Sequence, residues 1–162
     1  MTIDARALAL GPGEGRSLWH LGALMTFKAL SEETGGRFWA LEGLADNTMA
    51  VPLHVHHNDD EIWYVAEGEI TFTAGDTTRT VGPGGFAFIP RGVAHTFQVR
   101  SGTARWFGVG LPGGLDTWFF ETGVPAQTLT LPPPTEGPPD IEAIVTSLQA
   151  YATDTLGPPP NA

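Results

Sequence analysis

Residues 54–65, His54-Val55-His56-His57-Asn58-Asp59-Asp60-Glu61-Ile62-Trp63-Tyr64-Val65, decide how this chain is read. His54 and His56 stand at i and i+2, so one strand carries both imidazoles on the same face. Asn58-Asp59-Asp60 reads as a polar turn, and Glu61 opens the next strand. If Glu61 points inward, the alternation of a strand carries Trp63 and Val65 inward with it. Ile62 and Tyr64 then face outward and need a second sheet, an arm or a partner to cover them. Further on, His95 follows Pro90-Arg91-Gly92, a tight bend able to bring it back beside the first three. With His95 inward, Phe97 and Val99 point inward, while Thr96, Gln98 and Arg100 face out. Both strands thus set one imidazole or carboxylate among apolar residues, as a ligand pocket requires.

The same strand grammar extends in both directions. It begins near Leu18, and Ala23–Leu30 and Arg37–Leu44 flank Ser31-Glu32-Glu33-Thr34-Gly35-Gly36, a turn-rich connector read as a long hairpin loop. Val51–His56, Glu61–Val65, Glu69–Ala74, Thr77–Val81, Phe86–Ile89, Thr96–Arg100 and Arg105–Gly110 are further strands, punctuated by Glu67-Gly68, Gly75-Asp76 and Gly82-Pro83-Gly84-Gly85. Short strands at this density predict a sandwich or barrel. The period then changes: Leu115, Trp118, Phe119 and Thr122 recur at helical spacing, with Gly123 as C-cap. After a proline-rich stretch, Asp140 is an N-cap for a helix over Ile141–Tyr151, whose apolar stripe of Ile141, Ile144, Val145, Leu148 and Tyr151 predicts docking on the barrel or a partner subunit. The expected organisation is an N-terminal arm over 1–16, a barrel over 17–125, and a proline-rich arm and helix over 126–162 ending in a disordered tail.

Composition narrows the function classes. The chain has 162 residues, enough for one domain with a real core, and 21 glycines and 14 prolines, which speak against a helix bundle. A net charge of −10 with no basic run predicts no nucleic acid and no anionic membrane as partner. With 0 cysteines, disulfides, zinc knuckles and thiol catalysis are excluded. The apolar stretch Ala7–Leu10 is too short for a signal peptide and no run spans a bilayer, so the expectation is a cytoplasmic chain. Gly11-Pro12-Gly13-Glu14-Gly15 reads as a plain loop, because Pro12 interrupts it and no strong strand precedes it.

Three imidazoles and a carboxylate form a mixed nitrogen–oxygen donor set suited to zinc or another divalent first-row transition metal. Four protein ligands leave one or two exchangeable positions, which catalysis needs and a closed structural site lacks. Any one of His54, His56, Glu61 and His95 alone would read as structural; their joint spacing favours metal. His57 points away from its neighbours and reads as a surface residue, and His20 as a half-buried strand residue. Asp59 and Asp60 form a solvated turn or orient a ligand imidazole from behind. Arg91 is a surface residue. Trp39, Trp63, Phe72, Phe86, Phe88, Phe97, Trp106 and Phe107 are chiefly core by default. Trp63 and Phe97 are the candidates for the substrate pocket, since they share faces with ligands.

Residues 54–68 read His54-x-His56, four residues, Glu61, six residues, Gly68; residues 84–95 read Gly84, five residues, Pro90-x-Gly92, two residues, His95. These resemble, in order and spacing, the two motifs of the cupin superfamily. With the Gly-Pro-Gly-Glu-Gly-Arg start and the late proline-rich helix, the chain is similar to bacterial single-domain quercetinase-like cupins. The resemblance implies an all-β fold, a cupin jelly-roll barrel of six to eleven strands with short C-terminal helices. It also implies one divalent metal (nickel, manganese, iron, cobalt, copper or zinc) on His54, His56, Glu61 and His95, and a homodimer. By the same resemblance the activity is a dioxygenase reaction on a planar phenolic or enolic small molecule, with Glu61 as both ligand and catalytic base. Where the family's second motif often closes with asparagine this chain has Val99, which makes that part of the substrate pocket less polar. Two other functions fit the same ligands: a non-redox polyketide cyclase or isomerase, and a small-molecule-binding cupin without catalysis.

Overall fold

The computed structural model describes residues 7–49, 51–134, 137 and 140–158. Its strands and helices, in chain order, are β1 (Arg16–His20), β2 (Ala23–Ala29), α1 (Ser31–Thr34), β3 (Trp39–Asp46), β4 (Leu53–His56), β5 (Asp60–Glu67), β6 (Ile70–Ala74), β7 (Thr77–Val81), β8 (Phe86–Ile89), β9 (His95–Val99), β10 (Thr103–Leu111), α2 (Asp116–Thr122), β11 (Val124–Pro125), α3 (Ile141–Gln149) and β12 (Thr153–Gly157). Two antiparallel sheets result: β11-β1-β2-β3-β10-β5-β8 and β12-β4-β9-β6-β7. The all-β jelly-roll expected from the motifs is the fold observed. Twelve strands among the described residues exceed the expected six to eleven: β12 comes from the segment read as arm and helix, and β11 is a two-residue strand at the end of the barrel segment.

The core lies between the sheets and is aromatic. Trp63 of β5 meets Phe97 of β9 at 4.5 Å between ring centroids, Phe72 of β6 at 5.5 Å and Trp106 of β10 at 5.5 Å. Val65, Ile70, Val99 and Trp106 are buried around them, each contributing about 1.5–3 kcal/mol by removal from water. Gly43 makes room for this cluster, since a Cβ there would land on the Trp106 indole ring. The motif glycine Gly68, at φ +75°, turns β5 into β6 against the Thr103 carbonyl, where a side chain would collide.

Several sequence expectations need correction. The connector at 31–36 holds the one-turn helix α1, because Asp116 accepts hydrogen bonds from the Ser31 amide at 2.8 Å and from its hydroxyl, while Glu33 accepts from the Leu30 amide at 3.0 Å. Thr96 and Gln98 are buried although the alternation turned them outward; the segment ahead of β4 passes over Thr96, whose hydroxyl donates to the Val51 carbonyl at 2.5 Å. Phe86, Phe88 and Phe107 are not core but 61%, 54% and 39% exposed. On β8 it is Ile89 that turns inward. Phe107, Tyr64 and Phe86 stand abreast across β10, β5 and β8, with Val109, Ile62 and Phe88 in the adjacent row. Tyr64 is accordingly 48% exposed, and neither sheet covers this face.

Helix α2 forms where the periodicity placed it, and Gly123 closes it by donating its backbone N–H to the Phe119 carbonyl at 2.8 Å. Asp140 caps α3 by accepting from the Ala143 amide at 3.0 Å. Ile144, Leu148 and Tyr151 pack on the core, so the stripe docks on the barrel itself. Trp118 donates to the Ser147 hydroxyl at 2.8 Å and Tyr151 to Glu121 at 2.6 Å, fastening α3 to α2. His20 is buried rather than half-buried, edge-on to Trp118 and Phe119. Of the tail residues 158–162, expected to be disordered, 159–162 lie outside the described residues.

Candidate metal centre

Strand pairing assembles the site. In β4, His54 and His56 share a face, and the register of β4 with β9 sets His54 opposite His95. The bend before β9 is held in two places: the Gly92 amide donates to the His56 carbonyl at 2.7 Å, and Arg91 donates to Asp60 from its amide at 2.8 Å and its guanidinium at 3.0 and 2.8 Å. Asp60 thus joins the start of β5 to the bend that delivers His95. Arg91, although at the surface, is a clamp between the two motifs. Its hydrogen bonds hold the Asp60 carboxyl down at about 2.

One ring nitrogen from each of His54, His56 and His95 falls within 4.8 Å of the others. The ring centroids are 4.8 Å apart for His54 and His56, 4.2 Å for His54 and His95, and 5.3 Å for His56 and His95. Glu61 joins them from β5, its Oε1 3.5 Å from His56 Nε2 and its Oε2 3.2 Å from His95 Nε2. His56, Glu61 and His95 are buried and His54 is half-buried, so the site's exposed side is at His54.

The outward nitrogens are tied as well. His54 Nδ1 donates to the Pro52 carbonyl at 2.8 Å, and His95 Nδ1 to the Val93 carbonyl at 2.9 Å. A carbonyl only accepts, so both rings carry the proton on Nδ1 and turn Nε2 toward the centre. His56 Nδ1 lies 2.8 Å from the hydroxyl of Thr153, on β12. Three imidazole nitrogens and a carboxylate directed at one volume are a donor set that fits a divalent transition metal, which would displace the proton that His95 Nε2 donates to Glu61 Oε2.

The electrostatics fit the same occupant. Burial pushes the Glu61 carboxyl up, but the charges and hydrogen bonds of His56 and His95 outweigh it and hold Glu61 well below the usual carboxylate range. Burial lowers His95, while the hydrogen bond and charge of Glu61 raise it further than burial lowers it. His54 is pushed down to about 4 by burial first, then by its two imidazole neighbours. Burial pushes the Asp59 carboxyl up. A site with an ionised carboxylate among imidazoles carries the charge a dication neutralises.

Of the pocket candidates, Trp63 reaches the centre: its indole Nε1 donates to Glu61 Oε2 at 3.3 Å. Phe97 packs at a tilt against Trp63, and Val99 lies deeper in the core. His57 points away, as expected, and pairs with Asp154 at 2.9 Å in solvent. A concavity of about 690 Å³ touches none of these residues; Leu8, Pro12, Lys28, Phe38 and Phe107 line it. Wide though it is, no cluster of metal-binding donors among the described residues lies in it, so the chemistry is assigned to the histidines. Thr153 was not legible in the sequence, since it lies 97 positions from His56 and no periodicity marks it.

Comparison with known proteins gives concordant findings. Residues 40–110, which contain all four candidate ligands, match the family model for a cupin domain. Quercetin 2,3-dioxygenase of Bacillus subtilis is 25% identical over 118 residues, 73% of this chain and 35% of that protein. The protein of the same name from Aspergillus japonicus is 29% identical over 92 residues, 54% of this chain and 26% of that one. The chain therefore spans about a third and about a quarter of the length of these curated relatives. An RmlC-like cupin from Shewanella frigidimarina shares the fold, with a TM-score of 0.59 at 15% identity over 72% of this chain and 99% of that one. No helix among the described residues is long and apolar enough to cross a membrane.

Proposed function

We propose that this chain, which matches the cupin domain over residues 40–110 and resembles the quercetin 2,3-dioxygenases in sequence, is a metal-dependent dioxygenase acting on a planar phenolic or enolic small molecule. The observation that carries the reading is the convergence of three imidazoles within 4.8 Å, with Glu61 hydrogen-bonded among them. His54, His56, His95 and Glu61 would hold the ion. When bound, a divalent metal there supplies Lewis acidity toward an enolic oxygen and a site for dioxygen chemistry.

The chain's own groups do the rest. Glu61, kept ionised by its imidazole neighbours, takes the proton from the substrate hydroxyl, and one of its carboxylate oxygens becomes the carboxylic O–H. The Trp63 indole donates to Glu61 Oε2 and holds that carboxylate in orientation. Trp63, backed by Phe97 and Val99, forms an apolar wall that suits a flat ring and excludes water. The half-buried side of His54 is the way in.

The test is oxygen uptake by the metal-loaded protein presented with flavonols, across nickel, manganese, iron, cobalt and copper loadings. Uptake with at least one metal supports the reading; substrate conversion without oxygen would support enolisation by the same base, as in a cyclase or isomerase; neither would leave a binding protein. A homodimer belongs to the proposal too. The rows Phe107–Tyr64–Phe86 and Val109–Ile62–Phe88 make an apolar face, which a second copy can cover with the same face across a twofold axis.

A further inference from the structure

We propose that Thr153 is a positioning residue for the metal centre: its hydroxyl fixes the ring and tautomer of His56, which makes the C-terminal strand β12 a working part of the site. This rests on the metal-binding reading above. The residues matched to the cupin domain end at 110, whereas Thr153 arrives from beyond the proline-rich segment, directly opposite His56 in the pairing of β12 with β4.

His54 and His95 find their Nδ1 acceptors in carbonyls two residues back in the chain, at Pro52 and Val93. His56 has no such partner and takes the Thr153 hydroxyl at 2.8 Å, 97 positions away. That hydroxyl is committed: it donates to the Tyr151 carbonyl at 3.3 Å, which leaves a lone pair to accept His56 Nδ1–H. The proton on Nδ1 frees Nε2, the nitrogen that faces Glu61 Oε1. Thr153 is 0% exposed, so water cannot substitute for it, and without it Nδ1–H would be buried and unpaired. The ring would then favour the other tautomer, with a proton on Nε2 where a ligand lone pair is required.

A second link between the same strands gives a control. His57 and Asp154 pair at 2.9 Å, about half exposed, one position along from His56 and Thr153. Loss of that pair loosens the strand contact without touching Nδ1.

The experiment compares wild type, T153V, T153S and D154A by Co2+ affinity, read through competition with a chelator, and by 15N–1H NMR of the histidine rings in the metal-free protein above neutral pH. The expected outcome is Co2+ binding weakened about 10- to 100-fold in T153V, within about threefold of wild type in T153S and D154A, with the His56 Nδ1–H signature present in all but T153V. Wild-type affinity in T153V, equal losses in T153V and D154A, or a His56 ring without a proton on Nδ1 in wild type would each overturn the inference. If wild type takes up no Co2+, the metal reading fails, and the NMR comparison still decides whether Thr153 sets the tautomer. T153S covers the case in which T153V does not fold, since retained affinity and tautomer there support the hydroxyl and their loss opposes it.

Discussion

His54 and His95 are the one residue pair that registers β4 against β9, and their rings stand 4.2 Å apart. The contact that joins these two strands is thus also the contact that brings the two sequence motifs into one site. A slip of one residue in that register would turn His95 to the opposite face, so fold and site are specified together.

Replacement of His54, His56 or His95 by alanine should lower metal affinity by well over tenfold, since loss of a ligand exceeds the about 10–100-fold typical for loss of its outer partner. Glu61→Gln should retain more metal but lose turnover by about 10²–10⁴-fold, because the amide cannot accept the proton. Metal content by elemental analysis beside kcat separates these effects; equal metal content and activity across the four variants would count against the site.

Acid should weaken stability through His20. Burial holds its imidazole down at about 4 against 6.5 unperturbed, so the unfolded chain binds the proton more readily than the folded one. Stability from this group is complete above 6.5 and is lost as pH falls toward 4, by about 3 kcal/mol. In His20→Gln the titration is absent, so its urea midpoint should change less over that interval even though the variant starts less stable. An equal pH dependence in both proteins would contradict this.

Much of this was readable from local pattern. The alternation Glu61-x-Trp63-x-Val65 and the bend before His95 announced inward ligands amid aromatics, and both lie inward. Local pattern says which side chains share a face but not what covers that face. Thr96 therefore looked exposed and is roofed near Val51, while Phe86 and Phe88 looked like core and face outward. Thr153 needed the pairing of β12 with β4, a contact that leaves no mark on the residues around it.

The core tolerates little added volume at Gly43, where a Cβ meets the Trp106 ring. Gly43→Ala should destabilise by about 1–3 kcal/mol, read as a lower thermal midpoint, with wild-type metal content if the β4–β9 register survives. An unchanged midpoint would mean that Trp106 does not sit against Gly43.

The exposed aromatic rows supply a separable prediction. Phe86→Ser combined with Phe88→Ser, both on β8, should convert a dimer to a monomer in light scattering while leaving metal content unchanged. A wild-type protein that is already monomeric would remove the dimer from the account and leave the site intact.

The most direct test is an anomalous-difference map from crystals of the metal-loaded protein. One ion bonded to Nε2 of His54, His56 and His95 at about 2.0–2.2 Å, with a Glu61 oxygen completing the set, is the predicted result. An empty volume between the three rings after loading, or an ion bound only elsewhere on the chain, would contradict it.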